Sequence, residues 1–350
     1  MIDLAILRVT SAANPLRNYL MFNSTRFTLK IRIPVLLAVF IPLLLTGCIN
    51  APKPSSLATA TPYLAEPGDQ LLNRFAPVFW IEENSTDHNR IGTVRATSDE
   101  EVFIDPDTAV IYAAQRPFTT PRGDYTNLIY RVHFQEIPGG LSPFYLGAGK
   151  NIGLLIVITL NAQHQPLLVT SVHTCGCYLA FIPTSYLTPP AFPQGWPPDR
   201  QTVFSEDLPA RLSYPQAGAA PLRIQISIRP DTHRVMNVWL APVDTIQTNT
   251  IPMHLKPLAD LNNLPISKQH TTSMFVTSGA RKGYVKGSFK TRERLFMSWW
   301  ALDWHIGQDK VLGKDKQDGT TFYTSLKPWA RDASDMRDFS KFLAYWGWGL

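Results

Sequence analysis

The sequence predicts an α+β protein: a mainly antiparallel β-sheet, open to a sandwich-like arrangement, with helices gathered at the C-terminal end. Three observations carry this. Twenty-nine prolines in 350 residues punctuate the chain at short intervals, which suits strands and loops better than long helices. From Leu71 to about Val243, runs of β-branched and aromatic residues alternate with turn-forming dipeptides. After Lys290 the apolar residues fall at helical spacing instead.

Residues 1–47 stand outside that fold. Arg26, Lys30 and Arg32 precede an apolar run, Ile33–Leu45, of 13 residues. As a helix it would be about 20 Å long, too short for a bilayer core of about 30 Å and typical of a signal h-region. The run closes on Leu45-Thr46-Gly47-Cys48, which resembles the lipobox of bacterial lipoprotein precursors. The resemblance implies a diacylglyceryl thioether on Cys48, cleavage before it, and acylation of the new amino group. It therefore implies export and a membrane partner through the lipid. Met21 would begin a conventional precursor, so the true start is expected there rather than at Met1. In Gram-negative envelopes an aspartate after the lipidated cysteine usually signals inner-membrane retention. Ile49 stands there, so in such a cell the resemblance implies the periplasmic side of the outer membrane.

Removing 1–47 changes the charge. The whole chain holds 33 basic and 27 acidic residues, net +6, but the leader takes five of the first (Arg8, Arg17, Arg26, Lys30, Arg32) and one of the second (Asp3). That leaves 28 against 26, a net of +2. With no arginine-rich run or zinc-finger spacing, nucleic acid is not an expected partner. Residues 48–66 are rich in Pro, Ala, Ser and Thr without apolar periodicity, and read as the lipidated cysteine plus a flexible tether. The rest, 67–350, reads as one body, mainly β to about 287 and helical over 288–350.

Strands are expected at Phe75–Trp80, Val102–Ile104, Val110–Ala113, Leu128–Phe134, Ile152–Leu160 and Leu167–Phe181. Leu222–Arg229 alternates cleanly and should show one apolar and one wet face. Gly153–Leu160 is continuously apolar, as in a central strand covered on both faces. Thr188–Arg200, with five prolines, must be loop. Asp318-Gly319 suggests a turn into a short strand at Thr320–Tyr323. Helices are expected from Thr291 to Ile306 and from Ser334 to about Tyr345. Six of the nine tryptophans lie in the last 52 residues, where packing of these helices on the sheet is the expected use. The terminal Tyr345–Leu350 is the part least suited to burial, with the bilayer or a partner as the alternative.

The chemically suggestive cluster is His173-Thr174-Cys175-Gly176-Cys177. In an extended strand His173, Cys175 and Cys177 would share a face. An imidazole and two thiolates suit a soft metal, Cu(I) or zinc, and His133 from another expected strand is the best fourth donor. Two other readings remain open: a Cys175–Cys177 disulfide, favoured by an oxidising compartment, or a pair of small buried thiols. Leu146-Gly147-Ala148-Gly149-Lys150 lacks the spaced first glycine and the Ser/Thr of a phosphate loop, and reads as a turn. Glu82–Asn89 is acidic but has no calcium-loop pattern. Asp303-Trp304-His305 has no nucleophile signature beside it and reads as a helix-terminal pair. The sequence therefore points to a lipid-anchored body that binds or scaffolds, with a protein or other envelope component as its partner. A metal or thiol-redox protein using His173, Cys175, Cys177 and His133 is the first alternative. An envelope hydrolase is the second.

Overall fold

The computed structural model describes residues 59–141, 145–215, 221–246, 249–315 and 320–350. The Cys48 segment and most of the expected tether lie outside them. Ten strands form one sheet: β1 Thr61–Ala65, β2 Val78–Ile81, β3 Val110–Thr120, β4 Gly123–Ile137, β5 Gly149–Leu160, β6 Pro166–His173, β7 Ala180–Pro183, β8 Leu222–Ile228, β9 Val235–Pro242 and β10 Ile251–Pro257. Their order is β9-β8-β2-β1-β10-β3-β4-β5-β6-β7. Among the described residues three helices, α1 Leu71–Phe75, α2 Thr291–Ala301 and α3 Phe339–Tyr345, complete an α+β fold with two of them near the C-terminus.

The half from β3 to β7 is an antiparallel meander built from sequence neighbours. The other half is mixed: β1 with β10, β8 with β2, and β10 with β3 are parallel pairs. Strand β5 lies at the centre of the meander and is buried from Asn151 to Leu160, as its unbroken apolar run requires. On one face, Tyr63, Phe79, Tyr130, Val132, Leu154, Ile156, Ile182 and Ile226 share a core with side chains from both edge strands, so the sheet curls around it. The opposite face carries a second core, where Ile129, Leu155, Val157 and Leu168 meet Phe322, Phe342 and Trp348.

A hairpin of Arg200–Val203 with Glu206–Pro209 ties the two edges together. Gln201 donates to the Phe181 carbonyl of β7 at 2.6 Å. From the other edge, Arg229 holds Glu206 at 2.5 and 2.7 Å, and Arg234 reaches it at 3.0 Å.

Several expectations are corrected. The tether was expected to run to residue 66, but Thr61–Ala65 is a strand with Tyr63 buried between neighbours on both sides. Leu167–Phe181 is two strands joined by a turn, not one. The wet face expected on Leu222–Arg229 is buried at Gln225 and Ser227, and Gln225 is satisfied there by Trp80 Nε1 at 2.8 Å. Helix α2 stops at Ala301, where Leu302 turns left-handed, and α3 begins only at Phe339. Tyr323 makes a single bridge to Asp335 rather than a strand. The chain end, read as the part least suited to burial, is buried through Trp348 and Leu350.

Candidate functional site

The His-Thr-Cys-Gly-Cys segment lies at the end of β6, where the strand leaves the sheet. The Gly176 amide donates to the His173 carbonyl at 2.8 Å and the His173 amide to the Cys177 carbonyl at 2.9 Å, closing a tight turn. Cys175 and Cys177 form a disulfide with Cα atoms 5.6 Å apart. Gly176 has φ +93°, and a Cβ there would collide with the Tyr323 carbonyl oxygen, so only glycine fits. The turn, rather than strand alternation, brings the ligand-type atoms of His173, Cys175 and Cys177 within 4.8 Å of one another.

His133 does not join them. It pairs across the sheet with Gly153, whereas His173 pairs with Leu154, and successive residues of β5 face opposite ways. His133 and His173 therefore lie on opposite faces of the sheet. A four-donor set with His133 cannot assemble, and sulfurs bonded to each other offer no thiolate to a metal. His173 itself is buried, with Nε2 on the His233 carbonyl at 2.9 Å and Nδ1 without a hydrogen-bond partner. Burial, reinforced by Lys290, holds its pKa down to about 3, so the imidazole is neutral.

Beneath this turn sits a buried charged group that sequence reasoning did not single out. Asp309 accepts from the Thr174 hydroxyl and, at 3.3 Å, from the Gly153 amide, while the Lys290 ammonium lies 3.9 Å from its other oxygen. Lys310 Nζ donates to the Cys175 carbonyl at 2.7 Å and faces the Tyr323 ring at 4.4 Å. Burial pulls the Lys310 pKa down to about 8, against the opposing pull of Asp303 and Asp309. Arg131, on β4, donates through Nε to His133 Nε2 and through Nη1 to the Lys310 carbonyl, both at 2.9 Å. Its guanidinium lies 5.3 Å from the Phe275 ring centroid, and its Nη2 has no hydrogen-bond partner.

Arg131 forms part of the wall of a half-open cavity of about 720 Å³ between β3, the 257–262 segment and the 311–314 segment. Arg116, Lys282 and Lys314 also line it, and no aspartate or glutamate does among the described residues. A smaller cavity of about 320 Å³ adjoins it, sharing Gln115, Arg116, Leu312 and Lys314. The arrangement can receive a small molecule and offers it positive charge with an apolar floor at Leu261 and Phe275.

The remaining motifs are structural. Asp303 takes the Tyr323 hydroxyl and caps the His305 amide at 2.8 Å. Leu146-Gly147 is the turn leading into β5, in which Gly149 and Lys150 already lie. Around Glu82–Asn89, Asn84 accepts from Tyr63 at 2.5 Å, and Asn89 is buried against Asp231.

No family model and no curated protein matches the chain. A solved structure, NLPPya in complex with mannosamine, is similar over 62% of this chain and 85% of that one, at 10% identity and a TM-score of 0.22. A likeness that slight bears on neither fold nor function.

Proposed function

We propose that this chain is an envelope lipoprotein, held to the membrane through lipid on Cys48, whose α+β body binds a small ligand in the cavity beside Arg131. The observation that carries the anchoring is Leu45-Thr46-Gly47-Cys48, placed behind basic residues and a 13-residue apolar run. Acyl chains on one cysteine would hold firmly, since each buried CH₂ contributes about 0.8 kcal/mol and two or more chains make anchoring stable. Ile49 in place of aspartate favours the outer membrane of a Gram-negative cell. Among the described residues no helix is long and apolar enough to cross a membrane.

Binding in the cavity is supported by its size and by a buried guanidinium whose Nη2 amino group has no hydrogen-bond partner. An unpaired buried donor costs about 1–3 kcal/mol, which a ligand acceptor placed there would recover. A ligand bearing a carboxylate, phosphate or similar acceptor fits this wall.

Two measurements test the reading. Cells expressing Cys48→Ala should accumulate uncut precursor that carries no lipid by mass spectrometry, whereas the unaltered protein is cut before Cys48 and sediments with membranes. Normal processing of the variant would refute the anchor. For the cavity, thermal unfolding of the purified protein should shift upward with small anionic ligands and not with cationic analogues of the same size. Arg131→Gln should weaken the effect at least tenfold, and an equal response to both charges would reject the assignment.

A further inference from the structure

Helix α2 is built inside out. Its fully buried residues are Ser298 and Ala301, whereas Leu295, Phe296, Trp299 and Trp300 are exposed. The surface continues past the helix end through Leu302 and Trp304, and the exposures are large: 70% for Trp299, 68% for Trp304 and 81% for Trp329. Trp329 belongs to the same surface because Arg331 binds the carbonyls of Ala301 and Leu302, bringing the Pro328–Ala330 turn against the end of α2. On the other side Phe289 is also exposed, with the Arg281 guanidinium 4.1 Å from its ring centroid. A soluble surface seldom gathers so many large apolar side chains in one place.

We propose that this surface is a second membrane contact, through which the body lies on the lipid bilayer. Three features choose bilayer over protein. Tryptophan favours the headgroup boundary, where its ring is buried and its N–H stays wet, and four exposed tryptophans share this face. Of the cations in 281–304, Lys286 and Lys290 are buried, but Arg281, Lys282, Arg292 and Arg294 reach the surface against two acids (Glu293, Asp303), a balance that suits anionic headgroups. The reading also rests on the proposed anchor: only 12 residues separate Cys48 from Thr61 of β1, a reach of at most about 45 Å. A tether that short keeps the bilayer at high effective concentration, so even a weak surface affinity is realised.

The test uses the full mature protein, purified in detergent and reconstituted into vesicles of phosphatidylethanolamine and phosphatidylglycerol with brominated acyl chains. Tryptophan emission should be quenched by about a third or more relative to unbrominated vesicles. Leu295→Ser combined with Leu302→Asn keeps every reporter tryptophan, alters only exposed side chains and retains a residue that tolerates the left-handed backbone at 302. It should reduce the quenching at least twofold. Equal emission in both vesicle types overturns the proposal, as does quenching indifferent to the double substitution. A dimer in detergent that the same substitution dissolves would assign the surface to a second copy and overturn it too. Failure of the anchor is read separately, as absence of lipid on Cys48 by mass spectrometry; quenching without that lipid would leave the surface contact standing alone.

Discussion

At the scale of single residues the structure is governed by ionisable groups kept from water. His133, His173 and His233 are all buried on or beside the meander, and burial is the first cause of a depressed pKa in each. Arg131 adds to the effect at His133, Lys290 at His173, and His173 at His233. The unfolded chain titrates these near pH 6.5, so below that pH the native state binds fewer protons than the unfolded one, down to about pH 3 for His173. Stability is therefore fully present above pH 6.5 and is lost as the pH falls. From pH 6.5 to 5.0 His173 should remove about 1.5 kcal/mol, and His133 and His233 act in the same direction. Urea midpoints at the two pH values measure this, and His173→Gln should recover about 1.5 kcal/mol of the loss. A level profile would mean the imidazoles are not held neutral. The charged group was half legible. Arg131 and His133 stand two apart within an apolar strand, and alternation puts both on one face, a signal that a buried charge needs company. Asp309 and Lys310 sit in a loop without periodicity, so nothing in the sequence marks them as the partners of a turn 135 residues earlier.

At the scale of elements, the legible parts are those whose composition answers to local physics. β-Branched and aromatic runs located β3 to β6, and the unbroken apolar stretch of β5 identified a strand covered on both faces. The parallel pairings of β1, β2, β8 and β10 were not legible, because register between segments far apart in sequence is set by tertiary packing rather than by turn residues. Alternation in β8 was real but misleading: Gln225 and Ser227 occupy the face expected to be wet, and both are buried. The thiol cluster shows the same limit. Spacing in a strand predicted a shared face, but the chain turns at Thr174, the turn itself gathers the three side chains, and the cysteines are bonded to each other. Helix α2 was found by its spacing, yet the stripe expected to pack on the sheet faces outward. Periodicity reports that one side of a helix is apolar; it does not report what covers that side.

At the scale of the molecule, a sheet that curls but does not close leaves two edges, and edge strands invite pairing with other chains. The hairpin 200–209 occupies the gap, and Glu206 is its latch: buried, it receives two hydrogen bonds from Arg229 and a third contact from Arg234. On the same hairpin Arg200 pairs with Asp207 at 2.9 Å, but both side chains are at least half exposed. The two ion pairs should therefore differ sharply in worth. An exposed pair contributes about 0–1 kcal/mol, because water screens it and two flexible side chains must be ordered. Breaking a buried one strands charge in a poorly solvated site and costs about 3–5 kcal/mol, here nearer 2–4 because the arginines keep some contact with water. Glu206→Ala should lower the unfolding free energy by that amount in chemical denaturation, against less than about 1 kcal/mol for Asp207→Ala. With the latch gone, the β7 and β9 edges are uncovered, so Glu206→Ala should also aggregate faster at equal concentration than Asp207→Ala. Equal losses for the two variants would show that the hairpin rides on the sheet without closing it.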